Sequence, residues 1–431
     1  MDLEPKNVLV FPAGTEIGME IHSALKYSRF VRLFGGTSVP CHAELLFERC
    51  IEGFPFIDDP GFIDCLNSVI DEYHIDYVYP AHDSALMTMT ARQADIHCAV
   101  VTSPLETVEL CRSKNRTYAF LEGSPYLPRY FSGIDGVDGY PVFIKPTVGQ
   151  GAQGARRIND REHLAEALSD GVEYAICEYL PGDEFTVDCF TDRHGELLVV
   201  SPRSRDRIRA GIAVRSRLLR CDEAVRAIAE DINAKMRFNG AWFFQLKENA
   251  AGEYRLMEIA PRVAGTMGLS RSRGVNFPLL TLYNMWGFDV SVLTNGNDAM
   301  LDRAFISRYV TDIRYESVYV DFDDTIVVRG RVNTLLMMFL YQAKNQGKRL
   351  HLLTKHPDRP IREDLRRFGI AESLFDEIIH IPQDGRKSEY ITDSAPIFID
   401  DSFSERRRVR EERGIPVFDL DMIDSLLDWR A

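Results

Sequence analysis

Short apolar runs that stop abruptly at a proline, glycine or aspartate set the strongest limit on how this chain can fold. Val8-Leu9-Val10-Phe11 ends at Pro12-Ala13-Gly14-Thr15, and Ile17, Ile21 and Leu25 follow at helical spacing. A buried strand, a tight turn and a helix start make one parallel α/β unit. Tyr77-Val78-Tyr79 and Ala99-Val100-Val101 are two further strands of such a sheet. Gly14 and Gly18 do not complete a G-x-G-x-x-G motif, so their expected role is structural. The same alternation returns near the end of the chain. It predicts strand 317–322, helix 333–346, strand 349–354, helix 361–368 closed by Gly369, and strand 396–400. Between these parts, strands such as Val142-Phe143-Ile144-Lys145 and Leu256-Met257-Glu258-Ile259 mix with amphipathic helices. One helix starts at Asp222, an N-cap, and carries Val225, Ile228, Ile232 and Met236 on one face. The expected organisation is an open α/β sheet over 1–110, an α+β segment over 111–312 and a Rossmann-like α/β segment over 313–431. No internal repeat or low-complexity linker separates them.

Composition narrows the setting. A chain of 431 residues suggests about three domains at roughly 150 residues each. With 45% hydrophobic residues it is too apolar for disorder. No apolar run reaches the ~18 residues of a membrane span, and Met1–Lys6 lacks the layout of a secretory signal, so a cytoplasmic location is expected. Sixty-five acidic against 51 basic residues give a net charge of -14, which excludes general binding to nucleic acid or an anionic membrane. An anionic ligand must therefore meet locally concentrated positive charge. The eight cysteines form no C-x-x-C pair and are expected to be reduced, mostly buried thiols.

The middle segment holds such a concentration. Lys145 ends an apolar strand before the loop Gly149-Gln150-Gly151-Ala152-Gln153-Gly154. Three glycines let backbone N–H groups approach phosphate oxygens closely, although a surface hairpin would use them as well. A strand, a Pro181-Gly182 turn and a second strand would bring Glu178 and Glu184 to one cleft, as acceptors for an adenine amine or ribose hydroxyls. Between Arg203 and Arg220 lie seven arginines, Arg207 among them, against one acid, Asp206. Alternating arginines would line one strand face, suited to a triphosphate or a carboxylate substrate, while a solvated sheet edge that blocks aggregation would use them as well. Gln245 and Glu258 lie on two apolar strands joined through Gly252, and Pro261-Arg262 follows the second.

In this order the pieces resemble the ATP-grasp ligases, in particular the carbamoyl phosphate synthetase and D-alanine–D-alanine ligase branch, over about residues 7–310. The resemblance implies a pre-ATP-grasp sheet followed by an ATP-grasp domain, with ATP and Mg²⁺ bound. Lys114 and Lys145 would grip the phosphates with Gly149, Gly151, Gly154 and Arg207. Glu178 and Leu180 would flank the adenine and Glu184 the ribose. Gln245 and Glu258 would face Mg²⁺, and Arg262 an acyl phosphate. The family shows Glu-x-Asn on its metal strand, whereas this chain has Ala260 at the Asn position. Gly265-Thr266-Met267-Gly268, with Arg271 and Arg273, is the candidate for a substrate carboxylate. The resemblance implies small-molecule carboxylate and amine substrates and is compatible with a homodimer.

The last segment carries a different constellation. Val318-Tyr319-Val320 runs into Asp321-Phe322-Asp323-Asp324-Thr325, and alternation along a strand would turn Asp321 and Asp323 the same way. Thr354 ends a second strand, Lys387 follows a Gly-Arg turn, and Asp400-Asp401 ends a third. This set resembles the haloacid dehalogenase superfamily of phosphohydrolases. By that likeness Asp321 is the nucleophile and Asp323 the general acid/base. Thr354 and Lys387 would hold the phosphoryl group, and Asp321, Asp323, Asp400 and Asp401 would serve Mg²⁺. About 28 residues separate Thr325 from Thr354 and about 32 separate Thr354 from Lys387, which leaves no room for a cap domain. The basic run Arg406–Arg413 is expected to be a solvated helix.

The expected function is therefore a bifunctional enzyme: an ATP-dependent carboxylate–amine ligase joined to a Mg²⁺-dependent phosphatase that acts on a phosphorylated substrate. An alternative keeps the phosphatase and reduces the ATP-grasp part to a nucleotide-binding regulator. A non-enzymatic scaffold is the third reading.

Overall fold

The computed structural model describes residues 4–149, 151, 153–356 and 360–430. It divides into two compact units, Met1–Ala304 and Phe305–Ala431. No helix among the described residues is long and apolar enough to cross a membrane.

The first unit opens with strands β1 (Lys6–Phe11), β2 (Val31–Gly36), β3 (Arg49–Ile51), β4 (Tyr77–Pro80) and β5 (Ala99–Val100). All are parallel, in the order β3-β2-β1-β4-β5. This is the open sheet expected from the apolar runs. Gly14 and Gly18 have steric reasons for lacking a side chain: a Cβ would lie 2.4 Å from Cys41 Sγ at Gly14 and 2.5 Å from the Ala13 carbonyl at Gly18.

Two antiparallel sheets follow. The first has β6 (Tyr130–Phe131), β7 (Val142–Pro146), β8 (Arg156–Ile158) and β9 (Tyr174–Glu178), in the order β6-β9-β7-β8. After β10 (Glu184–Thr191) and β11 (Leu197–Ser204) comes a hairpin of β12 (Arg207–Arg209) and β13 (Ile212–Arg217). Strands β14 (Gly240–Glu248) and β15 (Tyr254–Ala260) then complete a sheet ordered β11-β10-β14-β15. Short β16 (Met300–Asp302) pairs with β13. The helix Glu223–Lys235 is capped by the Asp222 carboxylate, as predicted, and buries Val225, Ile228 and Ile232 against β10 and β14. Beneath it, Trp242 is fully buried, stacks on Phe238 at 4.0 Å and donates Nε1–H to Thr191 Oγ1 at 2.8 Å. That bond keeps the indole N–H satisfied in a core that excludes water.

The second unit is a parallel sheet. Its members are β17 (Ser317–Val320), β20 (Arg349–Thr354), β21 (Glu377–His380), β22 (Pro396–Ile399) and β23 (Val417–Phe418), ordered β21-β20-β17-β22-β23. A small ribbon, β18 (Val327–Val328) and β19 (Arg331–Val332), precedes the helix Thr334–Asn345. The helices Thr334–Asn345 and Ile361–Arg367 lie within the predicted spans. Gly369 adopts φ +69°, a conformation that costs a residue with a Cβ, which explains its place after the second helix. The helix Phe403–Arg413 carries the basic run and buries only Val409, so it is a solvated helix.

Candidate functional site

Two adjoining cavities in the first unit gather most of the residues expected to bind a nucleotide. One is lined by Phe143, Lys145, Cys177, Glu178, Leu180, Lys247 and Met257. The other is lined by Asp83, Arg112, Lys114, Gly149, Glu258, Ala260 and Arg262. Met257 and Glu258 are consecutive on β15, so the strand joins the two. Lys145 is buried and donates from Nζ to the Met257 carbonyl at 2.7 Å, with the Tyr118 ring 5.4 Å away. Burial, reinforced by Lys114, pulls the Lys145 pKa down. An anion arriving beside it would relieve that cost. Lys114 begins a short helix whose N-cap is Ser113. Glu178 accepts from the Arg129 backbone N–H at 2.9 Å, while the Leu180 side chain is buried.

Gln245 lies directly opposite Glu258 across the β14–β15 pair. A carboxamide oxygen and a carboxylate there are the hard donors Mg²⁺ prefers, so these residues fit the ion. Lys247 was not expected in the cavity. It faces Glu184 across β10 and β14, with Nζ 3.9 Å from that carboxylate, and the period-two rule from Gln245 could have found it. Gly151 has φ +60°, and a Cβ on it would sit 3.2 Å from the Ala210 carbonyl at the tip of the β12–β13 hairpin. Gln150 and Ala152 of the same loop lie outside the described residues.

The arginine-rich stretch does not form the row of free guanidinium groups expected. Arg203 is 1% exposed and bonds both oxygens of fully buried Asp188, at 2.9 and 3.1 Å. Arg205 pairs with Glu184 at 2.6 Å, Arg217 with Asp206 at 2.9 Å, and Arg207 and Arg215 with Asp302. Most of these acids come from strands that a local count cannot see. Glu184 is likewise occupied by Arg205 and Lys247, and Arg207 lines neither cavity. Arg262 forms a two-point pair with Asp83 at 2.6 and 2.8 Å. Burial opposes both charges, yet each holds the other ionised: Asp83 is pulled below the usual carboxylate range and Arg262 is raised. Beyond it, Arg271 bonds Glu20 at 3.0 Å rather than standing free for a substrate carboxylate.

The second unit concentrates its chemistry where β17 and β22 end. Asp321, Asp400 and Asp401 bring carboxylate oxygens within 4.8 Å of one another. Buried Lys387 reaches Asp321 Oδ1 and Asp400 Oδ2, each at 2.6 Å. Burial raises the pKa of Asp321 and Asp400, against the pull of Lys387. Burial also opposes the Lys387 charge, but the two carboxylates outweigh it and raise its pKa. One ammonium thus faces three acids. The surplus negative charge and the oxygen donors fit a divalent cation at Asp321, Asp400 and Asp401. Thr354 is fully buried at the end of β20, and its Oγ1 has no hydrogen-bond partner among the described residues. Thr325 Oγ1 donates to Asp401 at 3.2 Å.

Asp323 departs from the expectation. Regular strand geometry ends at Val320, and the chain bends through Asp324 at φ +51°, so alternation no longer governs its direction. Its carboxylate stays out of the acidic cluster and instead meets His356 Nδ1 at 2.9 Å. The sequence reading missed His356 and its second partner, Asp364, 2.8 Å from Nε2.

Residues 172–300 match a family model described as ATP-grasp in the biosynthetic pathway with Ter operon. No curated protein matches the chain. Among solved structures, biotin carboxylase from Campylobacter jejuni, in complex with β-γ-ATP, is 14% identical with a TM-score of 0.57, over 69% of this chain and 75% of that one. N5-carboxyaminoimidazole synthetase from Staphylococcus aureus, complexed with ADP, is 14% identical with a TM-score of 0.56, over 70% of this chain and 82% of that one. L-amino acid ligase from Bacillus licheniformis is 18% identical with a TM-score of 0.51, over 65% and 74%. The chain has an ATP-grasp fold of mixed α/β architecture.

Proposed function

We propose that the chain is an ATP-dependent carboxylate–amine ligase joined to a Mg²⁺-dependent phosphohydrolase, with the three-part organisation 1–110, 111–312 and 313–431. The pair of cavities joined along β15 supports the ligase reading: one is apolar with Lys145 and Glu178 at its edge, the other holds Lys114, Gly149 and Glu258. The first, beside Leu180, would take the adenine and the second the phosphates, with Gly151 and Gly154 in the adjoining loop. Gln245 and Glu258 would hold Mg²⁺, which would supply charge neutralisation at the phosphates. A substrate carboxylate oxygen attacks the γ-phosphorus, and the bond to the ADP oxygen breaks. An amine then attacks the acyl carbon, phosphate leaves and the amine proton passes to solvent. The bound charges stabilise the transferred phosphoryl group. Arg262, held by Asp83, positions the end of β15.

The Lys387 bridge between two buried carboxylates supports the phosphohydrolase reading. Lys387 lowers the repulsion between the acids and an arriving phosphate, and its pull favours the ionised form of Asp321, the nucleophile. Asp321, Asp400 and Asp401 would hold Mg²⁺, which supplies further charge neutralisation. An Asp321 oxygen bonds to phosphorus while the bond to the alcohol oxygen breaks, and Asp323 gives that oxygen a proton. Water then attacks the aspartyl-phosphate, returns a proton to Asp323 and releases phosphate. Thr354 offers its hydroxyl to a phosphoryl oxygen.

A screen of amino acids and small carboxylates for ADP release, with mass spectrometry of the product, tests the ligase. Activity must vanish in a Lys145→Ala, Glu258→Ala variant, and survival would refute this ATP site. Phosphate release that persists at full rate in Asp321→Asn would refute the phosphohydrolase. Ala260 favours a second reading, in which the ATP-grasp part binds nucleotide without turnover; ATP binding with no ADP formed across the screen would select it.

A further inference from the structure

We propose that His356, braced by Asp364, is the positioning residue that aims Asp323 at the departing oxygen; the inference rests on the phosphohydrolase reading. Asp323 is far more exposed than the nucleophile, its side chain 45% accessible against 8% for Asp321. A half-exposed carboxyl on a bent loop samples several rotamers, and a general acid out of line with its target loses most of its effect. Something must hold it.

His356 does so from a fixed position. Its ring is 6% exposed and stands edge-on to Phe322, 5.4 Å between centroids and 86° between planes. Phe322 is the buried residue between Asp321 and Asp323. Nδ1 lies 2.9 and 3.1 Å from the two oxygens of Asp323. A carboxylate only accepts, so Nδ1–H donates. On the far side Nε2 lies 2.8 Å from Asp364 Oδ2, itself buried in the helix Ile361–Arg367. The His356 carbonyl also accepts from His380 Nε2 at 2.8 Å, tying its backbone to β21. The ring is therefore fixed by contacts on both nitrogens, one face of packing and its own backbone. Asp323 inherits that order. A core histidine that merely filled space would not need both nitrogens on carboxylates, one of them at the mouth of the acidic cluster.

A test follows from what a general acid does. p-Nitrophenolate leaves without a proton, whereas an alkoxide needs one. The full-length chain with Mg²⁺ should be assayed on p-nitrophenyl phosphate and on glycerol 2-phosphate, as wild type, His356→Ala, His356→Asn and Asp364→Asn. For His356→Ala, kcat/KM, which reads formation of the aspartyl-phosphate and not the hydrolysis common to both esters, should fall by about 30- to 100-fold on glycerol 2-phosphate and by less than about 3-fold on p-nitrophenyl phosphate. His356→Asn, whose carboxamide N–H can donate to Asp323, should recover part of the loss. Asp364→Asn should show the same split more weakly, and these two milder variants carry the test should His356→Ala fail to fold. Equal losses on both esters, or no loss on either, would overturn the positioning role. A wild-type chain that hydrolyses neither ester would instead sink the phosphohydrolase reading and the inference with it.

Discussion

Replacing Arg203 by methionine separates two roles for the arginine-rich stretch. Arg203 and Asp188 are 1% and 0% exposed and share two hydrogen bonds, at 2.9 and 3.1 Å. Among the described residues, apart from Arg203, Ser270 Oγ at 3.3 Å is the other side-chain donor to Asp188. Arg203→Met leaves a buried carboxylate with that weak contact alone. Breaking one side of such a pair costs about 3–5 kcal/mol, and at ~2–4 °C per kcal/mol the midpoint of the first unit falls by roughly 6–20 °C. Arg209→Met, on the exposed hairpin, should stay within about 0.5 kcal/mol. Removing both charges with Asp188→Leu and Arg203→Met should recover most of the loss, because the pair itself carries a large desolvation cost. Differential scanning calorimetry of the four proteins, with ATP titrations below the transition, reads both effects. An Arg203→Met protein that melts at the wild-type temperature but no longer binds ATP would refute the structural role and return the arginine to the ligand.

Two other predictions probe the cavity lined by Asp83, Ala260 and Arg262. Burial works against the Asp83 carboxylate, but Arg262 more than offsets it and leaves the pKa below its unfolded value. The pair's stabilisation is therefore complete above about pH 4–5 and is lost as pH falls below ~4. Unfolding midpoints from pH 6 to 3, roughly the window in which an unfolded Asp titrates, should fall more steeply for wild type than for Asp83→Asn; parallel curves would exclude the pair as the cause. Ala260→Asn should return an oxygen donor to the face of β15 that carries Glu258. It should tighten Mg²⁺-dependent ATP binding several-fold in calorimetry. Lost stability with unchanged Mg²⁺ dependence would mark Ala260 as a packing residue.

Legibility in the sequence followed the range of each interaction. The Asp222 cap, the apolar face of Glu223–Lys235 and the Gly369 turn depend on neighbours a few residues away, and all three stand as read. The pairing of Gln245 with Glu258 needed only two strands and one turn between them. The arginines misled because their partners lie elsewhere in the chain. Asp302 reaches Arg207 and Arg215 from β16, and Glu184 reaches Arg205 from β10, so much of the local excess of charge is paired in space. Asp83 and Arg262 are 179 residues apart, and no periodicity announces them.

Strand order explains why the last segment was easier to read, and why its histidine was still overlooked. In a parallel sheet every strand delivers its C-terminal residues to one edge, so catalytic side chains need no sequence proximity to meet. The order β21-β20-β17-β22-β23 puts β17 between β20 and β22. Asp321 therefore emerges with Thr354 on one side and Asp400 on the other, which the three polar strand ends already suggested. The same order applies one step further along each chain. Val320 pairs with Leu352, so the residues after β17 and β20 leave the sheet side by side. Asp323 and His356 are two residues beyond Asp321 and Thr354 respectively, and they meet at 2.9 Å. The register alone would set Asp323 opposite Lys355, so the neighbouring of β20 and β17 brings the two segments together and the bend beyond Val320 completes the contact with His356. Without the order, His356 is only a polar residue beyond a strand.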